Sequence, residues 1–293
     1  MQNKFFDLPE SLSLDNKKKI WVLPVPFEGT VSYGTGTKKG PEAIIEASTQ
    51  IESFDPELAI SLEEYCYFEL LPEINRNVHG VEFFLKDIET FLQNNFVPQN
   101  DFICTLGGEH SITFPLVKFY KQAYKDLVIL QIDAHADLRN EYEGSKYSHA
   151  CVMKRCLELG AEIIQIGIRS VCKEEWILIK NSPRITTFFP WENLSPSQVA
   201  KKCKEIINKR PLYLTFDADG LDPGIMPGVG TPEPGGISYE WFKTFISELW
   251  PLNLVGMDFC ELAPQPFSVL SQSVAAKCIF KILTSFFYKQ KRK

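Results

Sequence analysis

Histidine is scarce in this sequence of 293 residues: there are four, His79, His110, His135 and His149. The eight cysteines include no Cys-x-x-Cys pair, which excludes a zinc knuckle or a dithiol redox motif. Cys104, Cys203, Cys260 and Cys278 stand in apolar stretches as small core residues do, and such usage points to a reducing, cytoplasmic setting. No uncharged apolar run approaches the roughly 20 residues that a membrane span needs. The start, Met1 to Lys19, carries Asp7, Glu10 and Asp15 and so lacks a signal-peptide core. Lys+Arg 31 against Asp+Glu 37 gives a net charge of -6, and no basic stripe with interleaved aromatics appears, which argues against nucleic acid. The basic end from Lys289 to Lys293 reads as a solvated tail. No Gly-Lys-Ser/Thr follows the Gly-rich loop 220–236, and the segment 34–40 misses the dinucleotide spacing, so no nucleotide cofactor is expected. With no repeat and no Pro/Ser-rich linker, residues 1–293 read as a single domain.

Against that background the stretch Asp133-Ala134-His135-Ala136-Asp137 stands out. It follows the apolar run Leu127-Val128-Ile129-Leu130-Gln131-Ile132, a buried-strand pattern. Alternation at period 2 would let Asp133, His135 and Asp137 converge where that strand ends. A second pair, Asp217-Ala218-Asp219, follows Leu212-Tyr213-Leu214-Thr215-Phe216, and Gly107-Gly108-Glu109-His110-Ser111 follows Phe102-Ile103-Cys104-Thr105-Leu106. Three strand ends thus offer four carboxylates and two imidazoles. Oxygen-rich ligands with neutral imidazole suit a divalent ion such as Mn²⁺, and this set carries enough negative charge for two. Each fragment alone is ordinary, since a lone Asp-x-Asp is usually a solvated turn. Several acids buried together without partners would cost several kcal/mol, so the combination demands a cation.

Strands are expected at 20–25, 102–106, 127–132, 162–167, 185–189, 212–216 and 253–258. Helices are expected from Pro41 and near 81–94, 112–124, 150–159, 195–209, 238–249 and 272–287. Pro41 suits the first turn of a helix, and Val81, Phe84, Leu85, Ile88 and Leu92 recur at helical spacing. Alternation of this kind builds a parallel sheet covered by helices, with ligands at the carboxyl ends of the strands, where all three motifs fall. His149 follows the polar loop 140–148. It could shuttle protons at a substrate rim, or simply begin a helix after a Ser148 cap. Glu261 lies beyond the strand at 253–258 and could grip a guanidinium by two hydrogen bonds, or be an exposed loop acid. His79 stands apart from these motifs as a surface residue.

Together these residues resemble the ureohydrolase (arginase/agmatinase) family, and most closely its agmatinases. The resemblance runs from Pro26-Phe27-Glu28-Gly29-Thr30 and Gly40-Pro41-Glu42-Ala43-Ile44 through the three acid motifs. It continues in Asp222-Pro223 and Gly230-Thr231-Pro232-Glu233-Pro234-Gly235-Gly236 and closes at Met257-Asp258-Phe259-Cys260-Glu261. It implies a three-layer α/β/α domain around an eight-stranded, mostly parallel sheet. It also implies two Mn²⁺ per chain, with Ni²⁺ as the other choice. One ion would take His110, Asp133, Asp137 and Asp217; the other would take Asp133, His135, Asp217 and Asp219. A hydroxide held by Asp137 would attack a guanidinium carbon gripped by Glu261, and His149 would help protonate the leaving amine. The implied reaction converts agmatine, a small cationic guanidino compound, to putrescine and urea in polyamine biosynthesis. Aminopropylagmatine, guanidinobutyrate and arginine are the alternatives. Glu141 and Glu143 would give the substrate rim a net negative charge beside Arg139, which favours a cationic tail. Glu109 departs from the Asp that many members carry, which bears on metal tuning. A metal-dependent deacetylase shares the fold but uses a His-His pair that this chain lacks. A non-catalytic relative would not need the intact ligand set. The family also implies a homo-oligomer, a trimer or hexamer, with no membrane or nucleic-acid partner.

Overall fold

A computed structural model describes residues 4–8, 17–74 and 79–290. Much of the segment before Lys17 and the last three residues of the basic tail therefore lie outside the described residues. The strands are β1 (Lys18–Val25), β2 (Phe54–Asp55), β3 (Ile60–Ser61), β4 (Cys66–Leu70), β5 (Phe102–Gly107), β6 (Val128–Ile132), β7 (Glu162–Ile166), β8 (Ile185–Phe188), β9 (Pro211–Asp217) and β10 (Asn253–Cys260). The α-helices are α1 (Gly40–Ser48), α2 (Val81–Asn95), α3 (Thr113–Ala123), α4 (Val152–Glu158), α5 (Lys173–Asn181), α6 (Pro196–Ile207), α7 (Tyr239–Leu249) and α8 (Leu270–Gln290). Eight strands form one sheet in the order β4-β1-β5-β10-β9-β6-β7-β8, while β2 and β3 pair separately as a short hairpin. Every adjacent pair in the large sheet is parallel.

A parallel sheet covered on both faces needs strands that are apolar throughout, and β6 and β9 are buried at every position. Alternation sends Val128, Leu130 and Ile132 into one core with α1, α6, α7 and α8, and sends Ile129 into the other with α2, α3, α4 and α5. The result is the expected three-layer α/β/α arrangement. Local signals explain several boundaries. Pro41 stands in the first turn of α1. Ser195 caps α6 reciprocally with Gln198: Gln198 N–H donates to Ser195 Oγ at 3.3 Å, and Ser195 N–H donates to Gln198 Oε1 at 2.9 Å.

Four elements were absent from the sequence-based expectation: the two-residue strands β2 and β3, the strand β4 and the helix α5. The edge strand β4 is short and half-buried, so neither alternation nor an apolar run marks it. Helix α5 begins at a Cys172 cap rather than Ser or Thr, and it leaves Trp176 and Ile177 exposed, which hides its apolar face. Glu175 closes that helix start by accepting from Cys172 N–H at 2.8 Å.

Candidate metal centre

His110, Asp133, Asp217 and Glu261 stand at the carboxyl ends of β5, β6, β9 and β10, which are neighbours at the middle of the sheet. The arrival of these side chains at one point owes less to strand alternation than the spacing suggests. β6 ends at Ile132, and the chain turns immediately: Asp133 Oδ1 accepts the His135 N–H at 2.6 Å, and Asp137 adopts a left-handed backbone with φ 54. The pair Asp217 and Asp219 is folded likewise, with Asp217 Oδ1 accepting the Asp219 N–H at 2.9 Å as a short 3₁₀ turn begins. Asx-type turns rather than extended chain therefore aim these acids. Glu261 is also left-handed, with φ 64. Such backbone in non-glycine residues costs of order 1–3 kcal/mol and gathers at functional sites.

Close backbone approach draws the motifs together. Ala134 N–H donates to Asp219 Oδ1 at 3.0 Å, and a Cβ at Gly220 would meet Asp133 N at 2.8 Å. At Gly108 a side chain would collide with the Phe27 carbonyl, so only glycine lets the loop after β1 lie against the one after β5.

Two groups of donor atoms result. His110, Asp133 and Asp137 form one; Asp133, His135 and Asp219 form the other, and Asp133 belongs to both. His110 Nδ1 lies 3.1 Å from Asp133 Oδ2, 3.0 Å from Asp137 Oδ2 and 3.3 Å from Asp217 Oδ2. His135 Nδ1 lies 3.0 Å from Asp219 Oδ2. Asp217 thus joins the first group through His110 and meets the second through the Asp219 backbone. Beneath the cluster, Thr215 Oγ1 donates to Asp258 Oδ1 at 2.6 Å and lies 2.7 Å from His110 Nε2. The Thr215 proton is thereby committed, so His110 presents Nε2–H to it and keeps an unprotonated Nδ1 toward the carboxylates. Among the described residues that buried Nδ1 has no aligned hydrogen-bond partner despite three oxygens nearby.

An orphaned imidazole nitrogen among several buried acids fits a divalent cation, and a carboxylate-rich set suits a hard one. Titration tells the same story, because without a cation the site must take up protons. Burial opposes charge on His110, yet Asp133, Asp137 and Asp217 hold its pKa well above the ordinary range. Burial also opposes charge on His135, but Asp219 and its neighbours push that ring up to about 10. Burial and then the adjacent carboxylates raise Asp217 strongly, Asp133 as well, and Asp137 up to about 7. Asp219 alone is lowered: burial works against its charge, and His135 more than offsets it.

A cavity of about 240 Å³ opens onto the cluster and is lined by His135, Asp137, His149, Asp217, Asp219 and Glu261 among others. Burial and the Glu109 charge hold the Glu261 carboxyl well above the usual range, and its Oε1 accepts the His110 N–H at 2.7 Å. A carboxylate oxygen has a second lone pair, so both oxygens can still face a ligand. His149 sits in the 3₁₀ turn before α4, whose Ser148 cap makes no side-chain bond among the described residues. The loop acids are placed differently from expectation. Arg139 and Tyr142 line this cavity, whereas Glu141 is exposed and lines a neighbouring cleft with residues 79–83, and Glu143 is exposed and lines neither. Glu143 has a left-handed backbone, φ 48, and neither acid is among the residues lining the cavity over the cluster.

Several participants were not legible beforehand. Arg169, after β7, donates to the carbonyls of Asp219 at 2.8 Å and Glu233 at 2.6 Å, clamping the Gly/Pro-rich loop over the acids. A cation just past a strand end was its only signal. Thr215 was visible only as a polar interruption of an apolar strand, and Asp258 only as part of the motif that leads to Glu261, with no role attached. All eight cysteines are free, and seven are buried. Among the described residues no helix is long and apolar enough to cross a membrane.

Residues 18–284 match the model of the arginase family. The chain is 37% identical to an N(1)-aminopropylagmatine ureohydrolase of Synechocystis sp. over 280 residues, covering 94% of this chain and 91% of that protein. It is 36% identical to an agmatinase of Halalkalibacterium halodurans, covering 85% of each. Among solved structures, agmatine ureohydrolase of Thermoplasma volcanium superposes with a TM-score of 0.79 at 30% identity, covering 100% of this chain and 97% of that one.

Proposed function

The chain belongs to the arginase family and is an enzyme of the ureohydrolase type; from that premise we propose that it holds two Mn²⁺ ions and hydrolyses agmatine to putrescine and urea. The observation that carries this reading is the pair of donor groups sharing Asp133 beneath one cavity. His110, Asp133, Asp137 and Asp217 would hold one ion, and Asp133, His135, Asp217 and Asp219 the other. When bound, such a pair supplies a nucleophile by acidifying water, together with positive charge that stabilises the developing anion.

The chain's own side chains do the rest. Glu261 accepts from the guanidinium nitrogens and turns the carbon toward the acids. Asp137 steadies the attacking water by a hydrogen bond. His149 takes up the proton that water releases and hands it to the departing amine, so urea and an alkylammonium leave with no net proton change. Burial lowers the pKa of His149, which keeps the ring ready to accept.

A second reading has its own support: the relative with 37% identity acts, by its name, on N(1)-aminopropylagmatine. Urea release measured from agmatine, aminopropylagmatine, guanidinobutyrate and arginine after loading with Mn²⁺ or Ni²⁺ separates the two. Preference for agmatine supports the first reading and preference for the aminopropyl compound the second. Silence on all four overturns both.

A further inference from the structure

Glu109 is wholly buried, yet nothing in the reaction above uses it. Four donors surround its carboxylate. Gly29 N–H and Thr30 N–H reach Oε2 at 2.8 and 2.7 Å, and the hydroxyls of Thr30 and Ser111 reach Oε1 at 2.8 and 2.6 Å. The Thr30 hydroxyl has one proton, and Glu109 takes it. Toward His149 that oxygen is therefore an acceptor. It receives the His149 backbone N–H at 3.1 Å and lies 3.2 Å from the ring Nδ1.

From this directionality we infer that Glu109, acting through Thr30, sets His149 in the Nδ1–H tautomer and so leaves Nε2 as the ring's acceptor beside the cavity. The inference rests on the reading of His149 as the proton-transfer residue. A carboxylate cannot donate, so the chain of bonds runs one way only: His149 to Thr30 to Glu109. The wrong tautomer would offer a proton where one must be received. Thr30 and Glu109 are positioning residues, because neither lines the cavity.

The same logic specifies an isosteric test. In Glu109→Gln the two fixed backbone N–H groups require the amide carbonyl, which turns the NH₂ toward the Thr30 and Ser111 hydroxyls. Thr30 then accepts from Gln and donates to His149 Nδ1, reversing the ring's tautomer with no change in shape. Thr30→Val removes the link, and Thr30→Ser restores it.

With the metal-loaded protein, Glu109→Gln and Thr30→Val are each expected to lower kcat by roughly 100-fold, the low end of what a positioned acid–base group contributes. KM and metal content should stay as in the parent enzyme, and Thr30→Ser should recover most of the loss. Unchanged kcat in both variants overturns the inference, as does a loss that merely follows lost metal or a Thr30→Ser no better than Thr30→Val. Neutron diffraction from crystals of the unsubstituted, metal-loaded protein at mildly alkaline pD decides the matter without any variant. Deuterium on Nδ1 of His149 supports the assignment, and deuterium on Nε2 alone refutes it. If no guanidino compound yields urea, the proposed function fails, while the ring's deuterium position still judges this relay.

Discussion

His110 and Thr215 meet 2.7 Å apart beneath the acid cluster, and the threonine proton is spent on Asp258. The imidazole is thereby held with its free nitrogen facing Asp133, Asp137 and Asp217. Replacing Thr215 by Val keeps the volume but removes the acceptor that orients the ring. Affinity for Mn²⁺ should fall roughly 10- to 100-fold, as losses of such supporting bonds do elsewhere. Competition with a fluorescent chelator measures this, and affinity equal to the parent's would show that the bond has no bearing on the site.

Asp217→Asn tests the acid assigned to both ions. It exchanges an anionic ligand for a neutral amide while preserving the Asp219 N–H contact through the side-chain oxygen. Metal analysis should give fewer than two ions per chain, and urea release should fall by at least 100-fold, on the order of what a lost metal-generated nucleophile implies. Two tightly bound ions in the variant would contradict the assignment.

The pH dependence of stability should change character when metal is removed. Asp137 is raised to about 7 and His135 to about 10 in the folded chain, both above their unfolded values. Groups raised on folding lend stability that is complete below the unfolded pKa and is lost as pH climbs through the folded one. Asp219 acts oppositely, but its effect is confined to acid below its unfolded value. The chelated protein should therefore melt at progressively lower temperature as pH rises from about 5 to 9. Metal-loaded protein should hold its Tm over that interval, because dications replace the protons. Parallel curves with and without chelator would count against cation binding at these residues.

Arg169 holds the loop 220–236 through carbonyls alone, using the planar fork that lysine lacks. Arg169→Lys should cost on the order of 2 kcal/mol, since several charged hydrogen bonds are lost together. Limited proteolysis should cut within 220–236 sooner than in the parent, and kcat/KM should drop because Asp219 loses its backbone anchor. Cleavage at an unchanged rate would show that the loop is held by other means.

Much of this architecture was readable from the chain because buried parallel strands announce themselves. β5, β6 and β9 are fully buried and mostly apolar, and each leads into residues too polar to be buried without purpose. Four peripheral elements were not readable: β2 and β3 are only two residues long, and β4 and α5 are half-exposed and lack the periodic contrast that marks an element. For the site, residue chemistry picked out the six side chains and Glu261 that the fold gathers at the strand ends, but not how they meet. The turns at Asp133 and Asp217 and the left-handed backbones of Asp137 and Glu261 are dictated by tertiary contact. That Glu141 and Glu143 do not line the cavity could not be foreseen for a related reason: charge alone does not say which side of a loop faces a cavity.

The strand order has one more consequence. β5 and β6 follow one another along the chain, yet β10 and β9 lie between them in the sheet, and both come from its final third. During synthesis His110, Asp133 and His135 emerge early, but the slot separating their strands stays unfilled until the last strands leave the ribosome. A nascent or truncated chain ending before Pro211 would carry these early side chains and still lack the framework that brings them within reach of each other, so capture of the proposed metals would belong to the end of folding.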